Sequence, residues 1–242
     1  MKKNWYFLIL LLAGIFYGCD SETEELGDAQ AGKNYYPLEI GNYRVYNVMY
    51  KKYEDDKAKD SSQFQIRERI DTIYTNLAGE PTYKIIRSRR ATPDDFWADD
   101  SVNTVILSKN QLIRKEGNLN LVKLIFPVSE NKSWSPNVYN YIDSTQTPKP
   151  HRARYTNVGQ SYTLNGTNYP KTVRVLVNDE ETFINIDKRE EVYAEGIGLI
   201  YKNYNVINYC TQQPCNGNQE DFDYKESGFM RIETLDSYGK IE

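Results

Sequence analysis

The chain has 242 residues, with 30 Lys and Arg against 34 Asp and Glu, a formal net charge of -4, a single His at position 151 and three Cys. That balance argues against a nucleic-acid partner, because neutralising a phosphate backbone takes a basic excess. One His leaves little for His-based zinc sites or acid–base machinery, so no metal, cofactor or catalytic residue is expected.

Lys2 and Lys3 precede an apolar run over residues 5–17. As a helix this run is about 20 Å long, short of a bilayer core of about 30 Å, so it reads as the apolar region of a signal peptide spanning residues 1–18. The segment Phe16-Tyr17-Gly18-Cys19 that follows resembles a bacterial lipobox. The resemblance implies that Gly18 is cut away and that Cys19 is diacylated on sulfur and acylated on its new N-terminus. Two or three acyl chains hold a protein stably, where one binds marginally, so the membrane is an expected partner through the N-terminal lipid. Residues 20–33 carry five acids and one base without apolar periodicity, and together with Cys19 they read as a flexible tether with a span of about 20 Å. An acidic run directly after the cysteine resembles the export signal of Bacteroidota surface lipoproteins. It implies an outer-membrane protein on the cell-surface side, with the periplasmic side as the alternative because Asp20 also resembles an enterobacterial retention signal. Acidity continuing through Glu22, Glu24 and Glu25 favours the first.

Residues 34–242 are expected to form one β-rich domain. At 39% hydrophobic residues a packed core is attainable, and 21 Tyr against 8 Phe and 3 Trp favour half-buried pleated surfaces. Alternation of period two recurs and helical periodicity does not. Tyr46, Val48 and Tyr50 share one strand face; Phe64, Ile66, Ile70 and Tyr74 share another, with Arg67, Arg69 and Asp71 opposite. Strands follow at Tyr83 and Ile85, over 102–108, 111–115 and 119–126. Asn165-Gly166 predicts a tight hairpin joining 162–164 to 167–169, since both turn positions tolerate positive φ. Further strands are expected over 172–177, 182–186, 199–209 and 229–235. Ten to twelve short-linked strands imply a mainly β fold, either an antiparallel sandwich or a curved, partly closed barrel.

Two segments carry a second resemblance. Residues 36–46, YPLEIGNYRVY, and residues 192–202, VYAEGIGLIYK, resemble two recurring stretches of a group of Bacteroidota lipoproteins. The group implies a β-rich lipoprotein and no established activity.

With Cys19 set aside, Cys210 and Cys215 remain as an even pair in an oxidising compartment, so a disulfide clipping the intervening turn is expected. The acids around Phe96-Trp97 and those over 216–223 do not match the spacing of an EF-hand loop and read as solvated. Glu180-Glu181 and Glu190-Glu191 are the carboxylate pairs a glycosidase mechanism would draw on, but sequence adjacency does not fix the carboxyl separation that mechanism needs. Gly196-Ile197-Gly198 lacks the third Gly and following helix of a dinucleotide loop and reads as a turn. Aromatic residues are the more informative group: Trp97, Trp134, Tyr139 and Tyr141 are candidates for stacking on a glycan or a protein partner. The composite expectation is a membrane-anchored, extracytoplasmic lipoprotein with a non-catalytic binding or structural role. Its alternatives are a carrier of lipophilic ligands on a half-barrel, recognisable by a deep apolar pocket, and a carboxylate-dependent hydrolase, recognisable by converging carboxylates.

Overall fold

The computed structural model describes residues 27–140, 152–211 and 224–241. In chain order its strands are β1 (Asn42–Glu54), β2 (Lys57–Thr75), β3 (Pro81–Arg90), β4 (Ala98–Leu107), β5 (Gln111–Glu116) and β6 (Leu119–Ile125). They continue with β7 (Ser133–Trp134), β8 (Ala153–Leu164), β9 (Thr167–Glu181), β10 (Asn185–Ala194), β11 (Gly198–Tyr209) and β12 (Lys225–Lys240). All pair antiparallel in one sheet, ordered β6-β5-β4-β3-β2-β1-β12-β11-β10-β9-β8-β7, which curls into a nearly closed barrel. Of the two expected architectures, the barrel is the one formed.

Turn chemistry sets the register. Asn165 and Gly166 both have positive φ, which makes the expected hairpin between β8 and β9. Asp55 and Asp56 do the same between β1 and β2, a turn that no Asn-Gly or Asp-Gly pair announces. β10 begins at Asn185, so most of the strand expected over 182–186 is instead the turn after β9, where Thr182 N–H donates to the Asn185 carbonyl at 2.8 Å, and β10 runs on to Ala194. Glu191, Val192, Tyr193 and Ala194 are all buried because the register shifts between Val192 and Tyr193 and both faces are covered there, so no alternation marks the strand.

The two ends of the sheet meet along a seam that is not a strand ladder. On β6, Asn120 N–H donates to Asn140 Oδ1 and its carbonyl accepts from Asn140 Nδ2, both at 2.8 Å. Val122 N–H donates to the Pro136 carbonyl at 2.9 Å, and the Val122 carbonyl accepts from Trp134 Nε1 at 2.8 Å. Ile125 N–H and its carbonyl are both taken by the Tyr155 hydroxyl at 2.8 Å. An edge strand presents unpaired backbone groups that must be satisfied or covered, and here side chains and a loop stand in for the missing neighbour.

A first apolar cluster, with Ile70, Ile85, Val105, Leu112, Leu124, Val173 and Val175, fills one part of the interior. A second, with Tyr46, Phe64, Ile66, Ile200 and Leu235, lies elsewhere along the sheet. Each fully buried large aliphatic side chain contributes about 1.5–3 kcal/mol. The first cluster includes Ala31, Tyr35 and Tyr36 from a short helical entry, α1 (Asp28–Ala31) followed by a 3-10 turn (Lys33–Tyr35). The Ala31 carbonyl accepts from Val128 N–H at 2.9 Å and the Asn34 carbonyl from Gly196 N–H at 2.9 Å. Residues 28–33, read from the sequence as part of the tether, are therefore docked on the barrel, because Ala31 supplies an apolar contact that the polar composition around it conceals.

Candidate functional site

Inward-facing positions on five strands switch from apolar to charged at one layer of the barrel. Glu68 sits between Ile66 and Ile70 on β2, and Arg87 follows Ile85 on β3. Arg114 and Glu116 follow Leu112 on β5, Lys202 lies between Ile200 and Tyr204 on β11, and Arg231 and Glu233 precede Leu235 on β12. Lys123 and Glu191 join them from β6 and β10. Together with Tyr36, Tyr50, Tyr193, Leu199, Tyr204 and Phe229 they line a cavity of about 340 Å³ inside the barrel. Its charged lining consists of five cations and four carboxylates.

Most of these charges are tied in pairs. Arg114 grips Glu68 through both oxygens, at 2.8 and 2.5 Å, while its Nη1 also donates to the Tyr36 hydroxyl at 3.1 Å. Such a two-pronged, charge-assisted contact is the strongest hydrogen-bonding arrangement a carboxylate makes with a side chain. Glu191 accepts from Lys123, from the Tyr193 hydroxyl at 2.6 Å and from the Tyr204 hydroxyl at 2.5 Å. Glu233 accepts from Arg231 Nε at 2.6 Å. Lys202 is the direct cross-strand neighbour of both Glu191 and Glu233, and Arg87 is that of Glu68.

The electrostatics follow from that geometry. Burial would raise the Glu68 carboxyl, but the charge and hydrogen bonds of Arg114, with Arg87 behind them, hold it below its ordinary value. Glu191 is likewise lowered against burial by Lys123 and Lys202, and Glu233 by Lys202 and Arg231. Glu116, whose side chain is 36% exposed, is brought to about 2 against its desolvation by Arg114, Lys123, Lys202 and Arg87. Burial and the Glu191 charge raise the Tyr193 and Tyr204 phenols, and Lys123 is raised by Glu191 despite its burial. At neutral pH the four carboxylates are ionised and the phenols are protonated, so the cavity offers hydrogen-bond donors and fixed charges but no protonated carboxylic acid.

A second, smaller recess of about 180 Å³ adjoins the first across Lys123, Glu191 and Tyr204 and is bounded by Leu121, Val122, Trp134, Val175 and Val177.

The stacking candidates do not converge. Trp134 is 8% exposed, packs its ring 4.7 Å from that of Tyr155 and commits Nε1 to the seam, so it is a closure residue and not a surface platform. The guanidinium carbons of Arg67 and Arg90 lie 4.9 and 4.3 Å from the Trp97 ring centre, which occupies that indole with cations. Tyr139 is 51% exposed with its hydroxyl in contact with Gln111, and Phe96 beside Trp97 is fully open to solvent. Tyr141 lies outside the described residues, as do Cys19 and Cys215, while Cys210 stands just past the end of β11. The carboxylate pairs also separate: Glu181 pairs with Lys188 and Glu190 with Arg174, and Glu191 alone points into the barrel. Asp95 bonds Thr92 and Asp99 accepts from Ser88, and among the described residues no group of three metal-ligating side chains could hold an ion.

Sequence reading missed the charged layer. Its signal is present in the pattern, where Glu68, Arg87, Arg114 and Lys202 each continue an otherwise apolar face two residues from an Ile or Leu.

No family model and no curated protein matches the chain. Among solved structures it is similar to a protein described as exported, with a YmcC-like fold, from Bacteroides fragilis: 12% identity, 85% of this chain and 98% of the other covered, TM-score 0.35. It is also similar to a protein described as a lipoprotein from Parabacteroides distasonis, at 10% identity over 84% of this chain and 98% of the other, TM-score 0.34. LprF from Mycobacterium bovis aligns at 9% identity over 88% and 91%, TM-score 0.25.

Proposed function

We propose that this chain is a lipid-anchored extracytoplasmic lipoprotein of the outer membrane, on its cell-surface side, whose barrel lumen is a non-catalytic binding cavity for a small polar ligand. The observation that carries the binding role is the 340 Å³ charged cavity within the barrel, a volume at the small end of ligand sites. Its lining argues against the lipophilic-carrier alternative, since nine charged side chains around one lumen disfavour an acyl chain. Four ion-paired, ionised carboxylates argue against the hydrolase alternative, which requires a protonated acid beside an ionised partner. Support for the anchor is the apolar run ending in Gly18-Cys19, and for the outer face the acids from Asp20 to Glu25.

Two measurements test the two halves. A clickable fatty acid fed to cells should label the wild type and not Cys19→Ala, and equal labelling of both would remove the anchor. Native mass spectrometry of protein extracted from its own membrane should show a small adduct that is lost in Leu199→Trp, a substitution that fills the lumen. An adduct unchanged in that variant, or a wild type without one, contradicts lumenal binding.

A further inference from the structure

The cations of the lumen are unequally satisfied. Arg114, Lys123 and Arg231 each hydrogen-bond a carboxylate, but Arg87 and Lys202 do not. Arg87 Nε stops 3.9 Å from Glu68 Oε1 and is buried without a hydrogen-bond acceptor among the described residues. Lys202 Nζ stops 3.7 Å from Glu233 Oε1, a carboxylate already committed to Arg231, and sits 4.5 Å from the Tyr204 ring centre. Arg231 Nη2 is buried without an acceptor as well. Both under-satisfied cations are largely enclosed, with side chains 22% and 14% exposed, where a charge lacking a hydrogen-bonded partner is costly.

They also face one space. Arg87 and Lys202 come from β3 and β11, yet both act on the same two carboxylates, Glu116 and Glu233. All four line the single 340 Å³ cavity. Tyr50 and Phe229 border the same space, their rings stacked at 28° with centroids 6.3 Å apart. Five cations against four carboxylates leave the lining one positive charge in excess.

Resting on the lumenal-binding reading above, we infer that the ligand is a small ring-bearing carboxylate whose anionic end is received between Arg87 and Lys202 and whose ring lies against Tyr50 and Phe229. A guanidinium fork matches a carboxylate in two-pronged geometry, and a single negative charge cancels the excess of the lining. A phosphate monoester, carrying about -1.5 to -2, overshoots that excess and meets the four resident carboxylates.

The test is calorimetric titration of the full chain in a non-ionic detergent with benzoate, glucuronate, inorganic phosphate, glucose and benzylamine. Benzoate or glucuronate should bind saturably and at least roughly ten-fold more tightly than phosphate, with glucose and benzylamine weaker still. Arg87→Gln and Lys202→Gln remove charges that hold no hydrogen bond to a lumenal carboxylate. Each should weaken the carboxylate roughly ten-fold or more, in protein shown by its unfolding transition to be folded at the titration temperature. Glu233→Gln, which removes the acid nearest Lys202, should strengthen binding, an outcome a purely structural network does not give. Carboxylates that fail to bind, or bind equally to all variants, overturn the proposal, as does tighter binding of phosphate. If glucose or benzylamine binds instead, and Leu199→Trp abolishes it, the lumenal reading survives and the anion reading falls. If no probe binds and no adduct accompanies the native protein, both fall.

Discussion

The guanidinium of Arg44 occupies the space that a side chain on Gly198 would need. A Cβ built on Gly198 would lie 2.6 Å from Arg44 Nε, and Gly198 itself has φ +103. Arg44 is held there by donating through Nε to the Ile197 carbonyl and through Nη2 to the Pro37 carbonyl at 3.0 Å, with its guanidinium carbon 5.1 Å from the Tyr36 ring centre. Nearby, the Tyr46 hydroxyl donates to the Leu199 carbonyl at 3.1 Å, and the rings of Tyr36 and Tyr193 lie 6.2 Å apart. The two stretches that resemble recurring lipoprotein segments, 36–46 and 192–202, thus pack on each other through residues 153 positions apart in sequence.

Gly198→Ala should therefore destabilise the domain by about 2 kcal/mol or more, from the disfavoured backbone region together with displacement of a pinned buried side chain. Denaturant unfolding of Gly198→Ala, Arg44→Met and the double variant should show coupling, with the double costing less than the sum of the singles. Simple additivity would mean that the two residues do not share this space.

Replacing Arg114 by Met while Glu68 remains leaves a carboxylate enclosed without its partner, and unfolding should show a loss of about 3–5 kcal/mol. Changing Glu68 to Leu in the same chain should recover most of that loss, since two apolar side chains are tolerated better than one orphaned charge. A double variant no more stable than Arg114→Met would show that the pair is worth more than its desolvation.

The pH dependence has a definite sign on each side. Glu68, Glu191 and Glu233 are held below their ordinary values in the fold, so the stability they contribute is complete above about pH 4.5 and is lost as the pH falls through their folded values. Tyr193, Tyr204 and Lys123 are raised, so their contribution is complete below about pH 10 and is lost as the pH rises beyond it. Urea midpoints should form a plateau between about pH 5 and 9 with a fall on both flanks. Glu116 adds to the acid flank in the same sense, weakened by solvent screening. An unchanged midpoint at pH 3 would contradict the ion-paired lumen.

A peptide map without reductant should recover Cys210 joined to Cys215, and Cys215→Ser should lower stability by only about 2 kcal/mol because the loop it closes is short. Alkylatable thiols at both positions in freshly isolated protein would rule the bridge out.

The antiparallel character was legible because one face of most strands meets solvent, which imposes the period-two alternation seen at 46–50 and 64–70. Asn165-Gly166 announced its hairpin through backbone preference alone. β10 was not legible, since a bulge and burial on both faces erase alternation at 191–194. β7 has two residues and no pattern to offer. Trp134 read as a surface aromatic because sequence does not show that Val122, twelve residues earlier, needs a donor for its carbonyl. The lumenal charges were hidden for a related reason: an inward Glu or Arg looks like a solvated one until its cross-strand partner is known, and Glu68 and Arg114 are 46 residues apart.

Taken around the barrel, the strands run from β7 to β12 and then from β1 to β6 without a jump, the ladder order of a plain up-and-down meander with the β12–β1 pair at its middle. One hydrogen bond crosses that point, from Ile241 N–H to the Gly41 carbonyl at 2.9 Å, while the Gly41 N–H donates to the Ile70 carbonyl at 2.9 Å. The barrel is thus a circular permutant of the simplest possible winding, and the connection over residues 126–132 is a covalent latch across the gap where such a winding would have its loose ends. Severing the chain in that connection would keep every ladder pairing and leave the gap held only by the hydrogen bonds of the seam, so the 126–132 segment is what ties the two edges of the sheet together covalently.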